Sequence, residues 1–251
     1  MSTSLFDLRG KTACVTGASS GLGRVAANVL AQAGARVVGV ARRRDQLEEW
    51  QSECDGETAI VAADLADRSS LKATGEDIGR AFDGVDILIN AAGINTRENA
   101  DVVTQEGWDV TMNLNLATPF FLAQGFVPHM RKNGWGRVVN FASLQSRRAF
   151  ANGIAYGASK GGVEQLTRAM AEAWSKDGIN ANAIAPGFFP TELTGPVFAN
   201  AELAQKNADQ TCVGRNGALE DMVGPLLFLS SSASNYVTGQ VLFVDGGFTA
   251  K

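Results

Sequence analysis

The sequence predicts an α/β protein in which short strands alternate with longer helices. Runs rich in β-branched residues alternate with longer amphipathic runs rich in Ala and Leu, which is typical of repeated βαβ units around a parallel sheet. No repeat or linker interrupts the 251 residues, and 45% of them are hydrophobic, enough for one sizeable core. We therefore expect a single domain over residues 1–251, with a Rossmann-like, doubly wound parallel sheet of about seven strands.

Seven segments have the composition and length of strands, and helices are expected in most of the intervals between them. In chain order, the strands are expected at Thr12–Thr16, Arg36–Val40, Thr58–Ala62, Ile87–Asn90, Arg137–Phe141, Asn180–Ile184 and Val241–Val244. In such a sheet, ligands bind outside the carboxyl ends of the strands. The residues that directly follow each strand are therefore the candidates for function.

Composition narrows the classes of partner and cofactor. The formal net charge is −4 and the basic residues are scattered, so neither a nucleic-acid partner nor a membrane partner is expected. Three dispersed cysteines and the single His129 suit neither a disulfide framework nor a zinc site, so no metal is expected. The N-terminus lacks a signal pattern and no apolar run reaches about 18 residues, so a cytoplasmic location is expected.

A glycine-rich turn follows the first predicted strand and leads into an apolar helix. Its glycines would let the backbone turn tightly and approach a pyrophosphate, whose charge a helix N-terminus favours. The spacing differs from G-x-G-x-x-G because three residues separate Gly17 and Gly21, and a plain strand-to-helix turn is the alternative. The candidate cofactor-binding residues of this turn are Gly17, Ser19, Ser20, Gly21, Leu22 and Gly23.

Arginines follow the second predicted strand, where an NAD-binding protein usually has an acidic residue for the ribose 2′-hydroxyl. A guanidinium there can bind a 2′-phosphate through two parallel hydrogen bonds, so Arg42 and Arg43 favour NADP(H), with NAD(H) as the alternative. These arginines could instead begin a solvated helix. This alternative applies more to Arg43 and Arg44 than to Arg42. Further candidates, each with a cap or turn as its alternative, follow the third and fourth strands at Asp64, Leu65, Asn90, Ala91 and Gly93.

Tyr156 and Lys160 form the candidate catalytic pair, because four residues apart they share one face of a helix. A free Tyr has a pKa of about 10, and a close ammonium lowers that pKa toward the range of a useful base. Ser143, at the end of the fifth strand, could donate to a substrate oxygen, and Asn115 could hold a water behind Lys160. Taken alone, Tyr156 and Lys160 would more often be an exposed helical pair. Ser143 and Asn115 alone would each more often be a cap or a buried amide.

Taken together, these motifs resemble the short-chain dehydrogenase/reductase family from about Leu8 to Ala250. The resemblance rests on Thr16–Gly23, on Asn90–Gly93, on the spacing of Ser143, Tyr156 and Lys160, and on the closing Thr238–Gly247. It implies that Tyr156 is the acid/base and that Lys160 lowers its pKa and binds the nicotinamide ribose. It also implies that Ser143 orients the carbonyl and that Asn115 supports a proton relay.

The same resemblance implies cofactor contacts after the sixth strand, with Thr191 on the nicotinamide carboxamide and Ile184 beside the ring. A turn and a helix cap are the alternatives for this segment, whose candidates are Pro186, Gly187, Phe189 and Thr191. Two residues depart from the family pattern. Ala91 replaces a commoner Asn, and Ser20 stands where many NADP-using members have a basic residue, so the NADP(H) prediction rests mainly on Arg42.

Segments outside the catalytic motifs resemble the subgroup that acts on sugar acids, such as gluconate 5-dehydrogenases and 2-deoxygluconate 3-dehydrogenases. A hexonate or polyol needs hydrogen bonds for its hydroxyls, and a hexonate also needs a cation for its carboxylate. The available side chains near the mouth of the site are Arg97, Arg147, Arg148 and Asn152, each with a plain surface position as its alternative.

Two other functions remain open at this point. One is a 3-oxoacyl-[acyl-carrier-protein] reductase, whose acidic partner would dock on a basic patch such as Arg131, Lys132 and Arg137. The other is a non-enzymatic nucleotide-binding protein, against which the intact catalytic set argues. The helices around Trp108–Arg131 and Ala155–Trp174 carry more apolar residues than one sheet face can cover, so a homotetramer is expected.

Overall fold

The computed structural model describes residues 3–251 and contains a seven-stranded sheet in which every strand pairing is parallel. The strands are β1 (Thr12–Thr16), β2 (Arg36–Ala41), β3 (Thr58–Ala62), β4 (Ile87–Asn90), β5 (Gly136–Phe141), β6 (Ile179–Pro186) and β7 (Val241–Val244). Their order across the sheet is β3-β2-β1-β4-β5-β6-β7. The predicted doubly wound sheet is therefore confirmed, with β2, β5 and β6 slightly longer than expected.

Helices occupy most of the intervals between the strands. They are α1 (Gly21–Gln32), α2 (Arg44–Glu53), α3 (Leu71–Ala81), α4 (Gln105–Met112), α5 (Thr118–Asn133), α6 (Ile154–Trp174), α7 (Gly195–Phe198), α8 (Ala201–Asp209) and α9 (Val223–Ser230). A π-helical turn at Asn113–Ala117 joins α4 directly to α5. Within residues 3–251, no helix combines the length and the apolar character needed to cross a bilayer.

Two layers of helices cover the two faces of the sheet. Successive strand residues point to opposite faces, so Ala13 and Val15 of β1 pack with α1, α2 and α9, whereas Cys14 packs with α3, α5 and α6. All five residues of β1 are buried, as expected for a strand that is covered on both sides. This two-sided burial explains why strands such as β2 and β4 are nearly continuous apolar runs instead of alternating ones.

The strand order reverses its direction of growth at β1, whose neighbours are β2 and β4. At such a switch point the connections leave in opposite directions and open a crevice at the carboxyl ends of the strands. Thr16 closes the bottom of that crevice, since its hydroxyl accepts a hydrogen bond of 3.1 Å from the backbone N–H of Ala92. The turns after β1 and β4 therefore form the floor of the candidate site.

Candidate active site

The glycine-rich turn after β1 has a backbone that only glycine accommodates easily. Gly17 and Gly21 have φ angles of +74° and +54°, in the left-handed region that side chains disfavour. A Cβ on Gly23 would lie 2.2 Å from the carbonyl oxygen of Gly17, so the first turn of α1 packs directly on the loop. Ser20 begins α1 without a side-chain cap, which leaves the first N–H groups of the helix available for an anion.

The crevice fits a dinucleotide, because side chains are missing where its walls come closest. A Cβ on Gly17 would lie 3.0 Å from the backbone nitrogen of Ala92, across the crevice floor. A Cβ on Gly93 would lie 3.2 Å from Oδ1 of Asn115 and 3.6 Å from Nζ of Lys160. Gly93 thus keeps open the space in front of Asn115 and of Lys160, the group that the family resemblance assigns to the nicotinamide ribose.

The arginines after β2 differ in what they contact. Arg43 donates from Nη2 to the hydroxyls of Ser19 and Ser20, at 3.1 and 3.0 Å, and forms an ion pair with Glu192. Arg42 is exposed. The guanidinium of Arg43 therefore lies beside Ser20, the position at which the sequence lacks the expected basic residue.

Two predicted cofactor contacts have their side chains engaged inside the protein. Asn90 is buried and donates from Nδ2 to Oδ1 of Asn140, its partner on β5, at 2.9 Å. Phe189 is 2% exposed, and its ring fills the space that a side chain on Gly217 would take. If these two residues meet a cofactor, it is through their backbone, not through their side chains.

The predicted contacts that follow β6 and β3 lie in different surroundings. The methyl group of Thr191 packs over Gly21, 3.2 Å from where a Cβ would be, so the segment after β6 covers the glycine-rich turn. Gly187 approaches the backbone of Asp245 after β7, where a Cβ would come within 2.8 Å. Asp64 is exposed and accepts from the N–H of Ala66, whereas Leu65 is buried.

Tyr156 and Lys160 lie in the first two turns of α6 and are both buried, at 8% and 4% exposure. Lys160 donates from Nζ to the carbonyl oxygen of Phe141 at 2.6 Å, and its ammonium is 5.7 Å from the centre of the Tyr156 ring. Burial lowers the pKa of Lys160 from 10.5 to about 8. An ammonium with one protein acceptor retains donors for the hydroxyls of a ribose.

Burial raises the pKa of Tyr156, opposite to the direction expected from the Lys160 charge alone. A hydrogen bond with the Ser143 side chain opposes the rise, and so does the positive charge of Arg97. The reason is that the phenolate loses its hydration in a buried site, a cost that the sequence argument did not include. The resting side chain is therefore a neutral phenol.

Ser143 and Asn115 approach this pair from two other elements. The Ser143 hydroxyl accepts from the N–H of Gln145 at 3.1 Å, in the turn that follows β5. Asn115 lies in the π-helical turn, where its amide exchanges two hydrogen bonds of 2.9 Å with the backbone of Ile94 and donates to Ser159 at 3.1 Å. All four predicted catalytic residues thus meet at the carboxyl ends of β4 and β5.

Ser146 is a positioning residue that the sequence argument missed. Its hydroxyl accepts from the N–H of Ser143 and donates to the carbonyl oxygen of Lys160, at 3.3 and 2.7 Å. It therefore joins the turn that carries Ser143 to the helix that carries Lys160. The spacing Ser143-x-x-Ser146 is that of a capping box, a signal that was present in the sequence.

The four candidate substrate-binding side chains are differently placed. Arg97 lies near enough to act on the pKa of Tyr156 and donates to the carbonyl oxygen of Leu193. Arg147 is held by the buried Glu164, 3.3 Å from its Nε, and Arg148 lies over the ring of Phe248. Arg97 and Asn152 both have left-handed backbones, at φ +56° and +57°. Arg97 is thus the cation of this group that acts on the catalytic centre.

A dinucleotide crevice with a buried Tyr, Lys and Asn and a half-buried Ser at its end defines a nicotinamide-dependent oxidoreductase. A family model described as "Enoyl-(Acyl carrier protein) reductase" matches residues 17–249. The chain belongs to the short-chain dehydrogenase/reductase family, as its motifs indicated, and is an oxidoreductase that acts on CH–OH groups.

Its relatives include several enzymes of sugar-acid metabolism. The chain is 41% identical to the gluconate 5-dehydrogenase of Gluconobacter oxydans, covering 98% of this chain and 97% of the relative. It is 38% identical to the 2-dehydro-3-deoxy-D-gluconate 5-dehydrogenase of Escherichia coli, with all of both chains covered. A crystal structure of a gluconate 5-dehydrogenase from Burkholderia cenocepacia, in complex with NADP and tartrate, is similar at a TM-score of 0.93 and 34% identity, with 99% and 98% covered.

Proposed function

We propose that this chain is a single-domain NADP(H)-dependent dehydrogenase that interconverts a secondary alcohol and a ketone on a sugar acid such as gluconate. The observation that carries the proposal is the charge of Arg97 beside the buried Tyr156, in a chain whose relatives act on gluconate and its derivatives. A hexonate brings one carboxylate and several hydroxyls to this centre. Arg97 supplies the cation for the first, and Ser143 and Tyr156 supply hydrogen bonds for the reacting oxygen.

The chemistry assigned to the four catalytic residues follows from their contacts. An oxidised nicotinamide, when bound, would supply the hydride acceptor for the carbon that bears the reacting hydroxyl. Tyr156 removes the hydroxyl proton, while Ser143 donates a hydrogen bond to the same oxygen. Lys160 holds the nicotinamide ribose, and its ammonium favours the phenolate. Asn115 anchors the loop at Ile94 and so keeps the wall opposite Tyr156 in place.

The positive charge of an oxidised cofactor would offset the effect of burial on the pKa of Tyr156. A neutral phenol is a poor base, and burial makes it poorer. An oxidised nicotinamide would add a positive charge near the buried Tyr156, and such a charge favours the phenolate. We therefore assign formation of the phenolate to the complex with the cofactor, not to the free protein.

The cofactor assignment rests on basic residues after β2. Arg43 lies on the Ser19 and Ser20 hydroxyls and supplies the charge that the glycine-rich turn itself lacks. A guanidinium presents two parallel donors to a phosphate, and Arg42 is free to turn toward the same group. Related gluconate dehydrogenases have been crystallised with NADP. NADP(H) is therefore the preferred cofactor in this proposal, with NAD(H) as the weaker one.

Steady-state kinetics on a substrate panel tests the proposal. We expect turnover of gluconate or a related hexonate with NADP(H), at a kcat/KM above that for polyols and for 3-oxoacyl thioesters. In Arg97→Met, the KM for the hexonate should rise at least tenfold, the scale of losing one charge-assisted hydrogen bond, while a neutral polyol is affected less. Arg80→Met, an exposed substitution on α3, is the matched control. Equal losses on both substrate classes would remove the carboxylate assignment.

The alternative functions predict different outcomes in the same panel. A preference for 3-oxoacyl thioesters would favour an acyl-carrier reductase, of which a solved example is 29% identical to this chain. Nucleotide binding without any turnover would favour the non-enzymatic protein. The panel therefore separates all three functions.

We also propose a homotetramer, because apolar side chains remain exposed on the helices next to the site. The proposed location is the cytoplasm, as expected from the sequence. Trp108 and Phe121 are 37% and 40% exposed on α4 and α5, and Ile154 is 50% exposed at the start of α6. Light scattering on the purified protein tests the assembly. A stable monomer would contradict it.

A further inference from the structure

Arg43 and Glu192 form a two-pronged ion pair across the mouth of the dinucleotide crevice. Nη1 donates to Oε1 and Nη2 donates to Oε2, each at 2.9 Å. The Ser20 hydroxyl completes a closed ring, because it donates to Oε2 at 3.1 Å and accepts from Nη2 at 3.0 Å. Arg43 follows β2 and Glu192 follows β6, so the pair joins segments that are 149 residues apart.

The same donors of Arg43 suit a phosphate. A guanidinium offers two parallel N–H groups, and a carboxylate or a phosphate can occupy that fork, but not both at once. Arg43 is also the basic side chain that contacts Ser20, beside the start of α1. The carboxylate of Glu192 therefore lies where the phosphate on the adenine ribose would be bound.

We propose that Glu192 is a specificity-determining residue, whose carboxylate competes with the 2′-phosphate of NADP(H) for the guanidinium of Arg43. The proposal rests on the cofactor assignment made above. Binding of NADP(H) exchanges one anion for another on Arg43, whereas binding of NAD(H), which has a 2′-hydroxyl, leaves the Arg43–Glu192 pair intact. Glu192 thus narrows the preference for NADP(H) over NAD(H) that Arg43 creates.

The exposure of the pair makes such an exchange feasible. The side chains of Arg43 and Glu192 are 41% and 61% exposed, and an ion pair in contact with water contributes little net free energy. A phosphate monoester carries nearly two charges near neutral pH, against one for the carboxylate. Hydrogen bonding to Arg43 lowers the pKa of Glu192, so this carboxylate is ionised near neutral pH.

Equilibrium titration of the variant Glu192→Gln with four ligands tests the proposal. The amide keeps the shape of the side chain but removes its charge. We expect NADPH and the fragment 2′,5′-ADP to bind about three- to fivefold more tightly than to the unsubstituted protein, the scale of one exposed ion pair. NADH and 5′-AMP should bind with unchanged affinity. Glu202→Gln, an exposed substitution on α8, is the matched control and should change none of the four.

A second comparison places the effect on Arg43. In an Arg43→Met background, NADPH should bind more weakly, and adding Glu192→Gln should give no further change. Unchanged NADPH binding in Glu192→Gln alone would overturn the competition. Weaker NADPH binding would also overturn it and would indicate that Glu192 orients Arg43 for the phosphate.

The two proposals fail in different ways. If Arg43→Met leaves NADPH binding unchanged, the contact of Arg43 with the 2′-phosphate fails and the competition fails with it. If the unsubstituted protein binds NADH as tightly as NADPH, the cofactor assignment itself fails. If Arg43→Met weakens NADPH but Glu192→Gln changes nothing, only the role of Glu192 is refuted.

Discussion

Replacing Lys160 with Met should change how the stability of the protein depends on pH. Burial lowers the pKa of Lys160 to about 8 in the folded protein, against 10.5 in the unfolded chain. Above pH 10.5 the amine of Lys160 is neutral in both states, and its burial then does not lower the free energy of unfolding through ionisation. As the pH falls from 10.5 to 8, the unfolded chain takes up a proton that the folded protein does not, so stability is lost. The full difference corresponds to about 3 kcal/mol.

Urea unfolding of the two proteins between pH 7.5 and 10 measures this contribution. The upper limit is set by Tyr156, whose raised pKa contributes stability that is lost only as the pH rises above 10. Over this interval the free energy of unfolding should rise by about 2–3 kcal/mol more in the unsubstituted protein than in Lys160→Met. Lys176→Met, an exposed position, is the matched control. Parallel pH curves for Lys160→Met and the unsubstituted protein would refute the reasoning.

Two further substitutions test the catalytic and nucleotide-binding parts of the site, and a third, on α3, is a stability control. Tyr156→Phe should lower kcat by about 10²- to 10⁴-fold with cofactor affinity nearly unchanged, and turnover near the original rate would remove Tyr156 from the chemistry. Gly23→Ala should weaken cofactor binding and lower the urea midpoint, because its Cβ would lie 2.2 Å from the Gly17 carbonyl oxygen. Gly79→Ala, on α3 with open space around its Cβ, should instead stabilise the protein by about 0.5–1 kcal/mol. Equal effects of the two alanines on stability would contradict the close approach at Gly23.

Most of the sheet could be predicted because each strand is a short buried run between turn residues. The residues at which strands begin and end were harder to predict, because pairing with the neighbouring strand determines them. Gly136 and Ile179 belong to their strands because they pair with one another, and Pro186 belongs to β6 because it pairs with Val244 on β7. Such pairings join residues that are far apart in the chain and leave no local trace.

The catalytic residues were predictable from spacing, whereas side-chain directions were not. Asn90 followed a strand as a cofactor contact should, but its register against β5 places it opposite Asn140, with which it bonds inside the sheet. Arg43 was the weaker of two arginines by sequence, yet it is the one that contacts Ser20. Its direction depends on Glu192, a partner that local pattern cannot reveal.

The π-helical turn at Asn113–Ala117 would let the fold, but not the catalytic site, tolerate the deletion of one residue. A π turn holds one residue more than the α-helical path between the same two ends, so one residue could be deleted while α4 and α5 still form a continuous rod. The deletion would leave α4 and α5 in register, because the π turn already accommodates the extra residue, but it would turn the residues inside the turn relative to those helices. Asn115 would then face away from Ile94 and Ser159. A lineage that loses one codon here could keep a stable, nucleotide-binding fold and lose its catalytic activity.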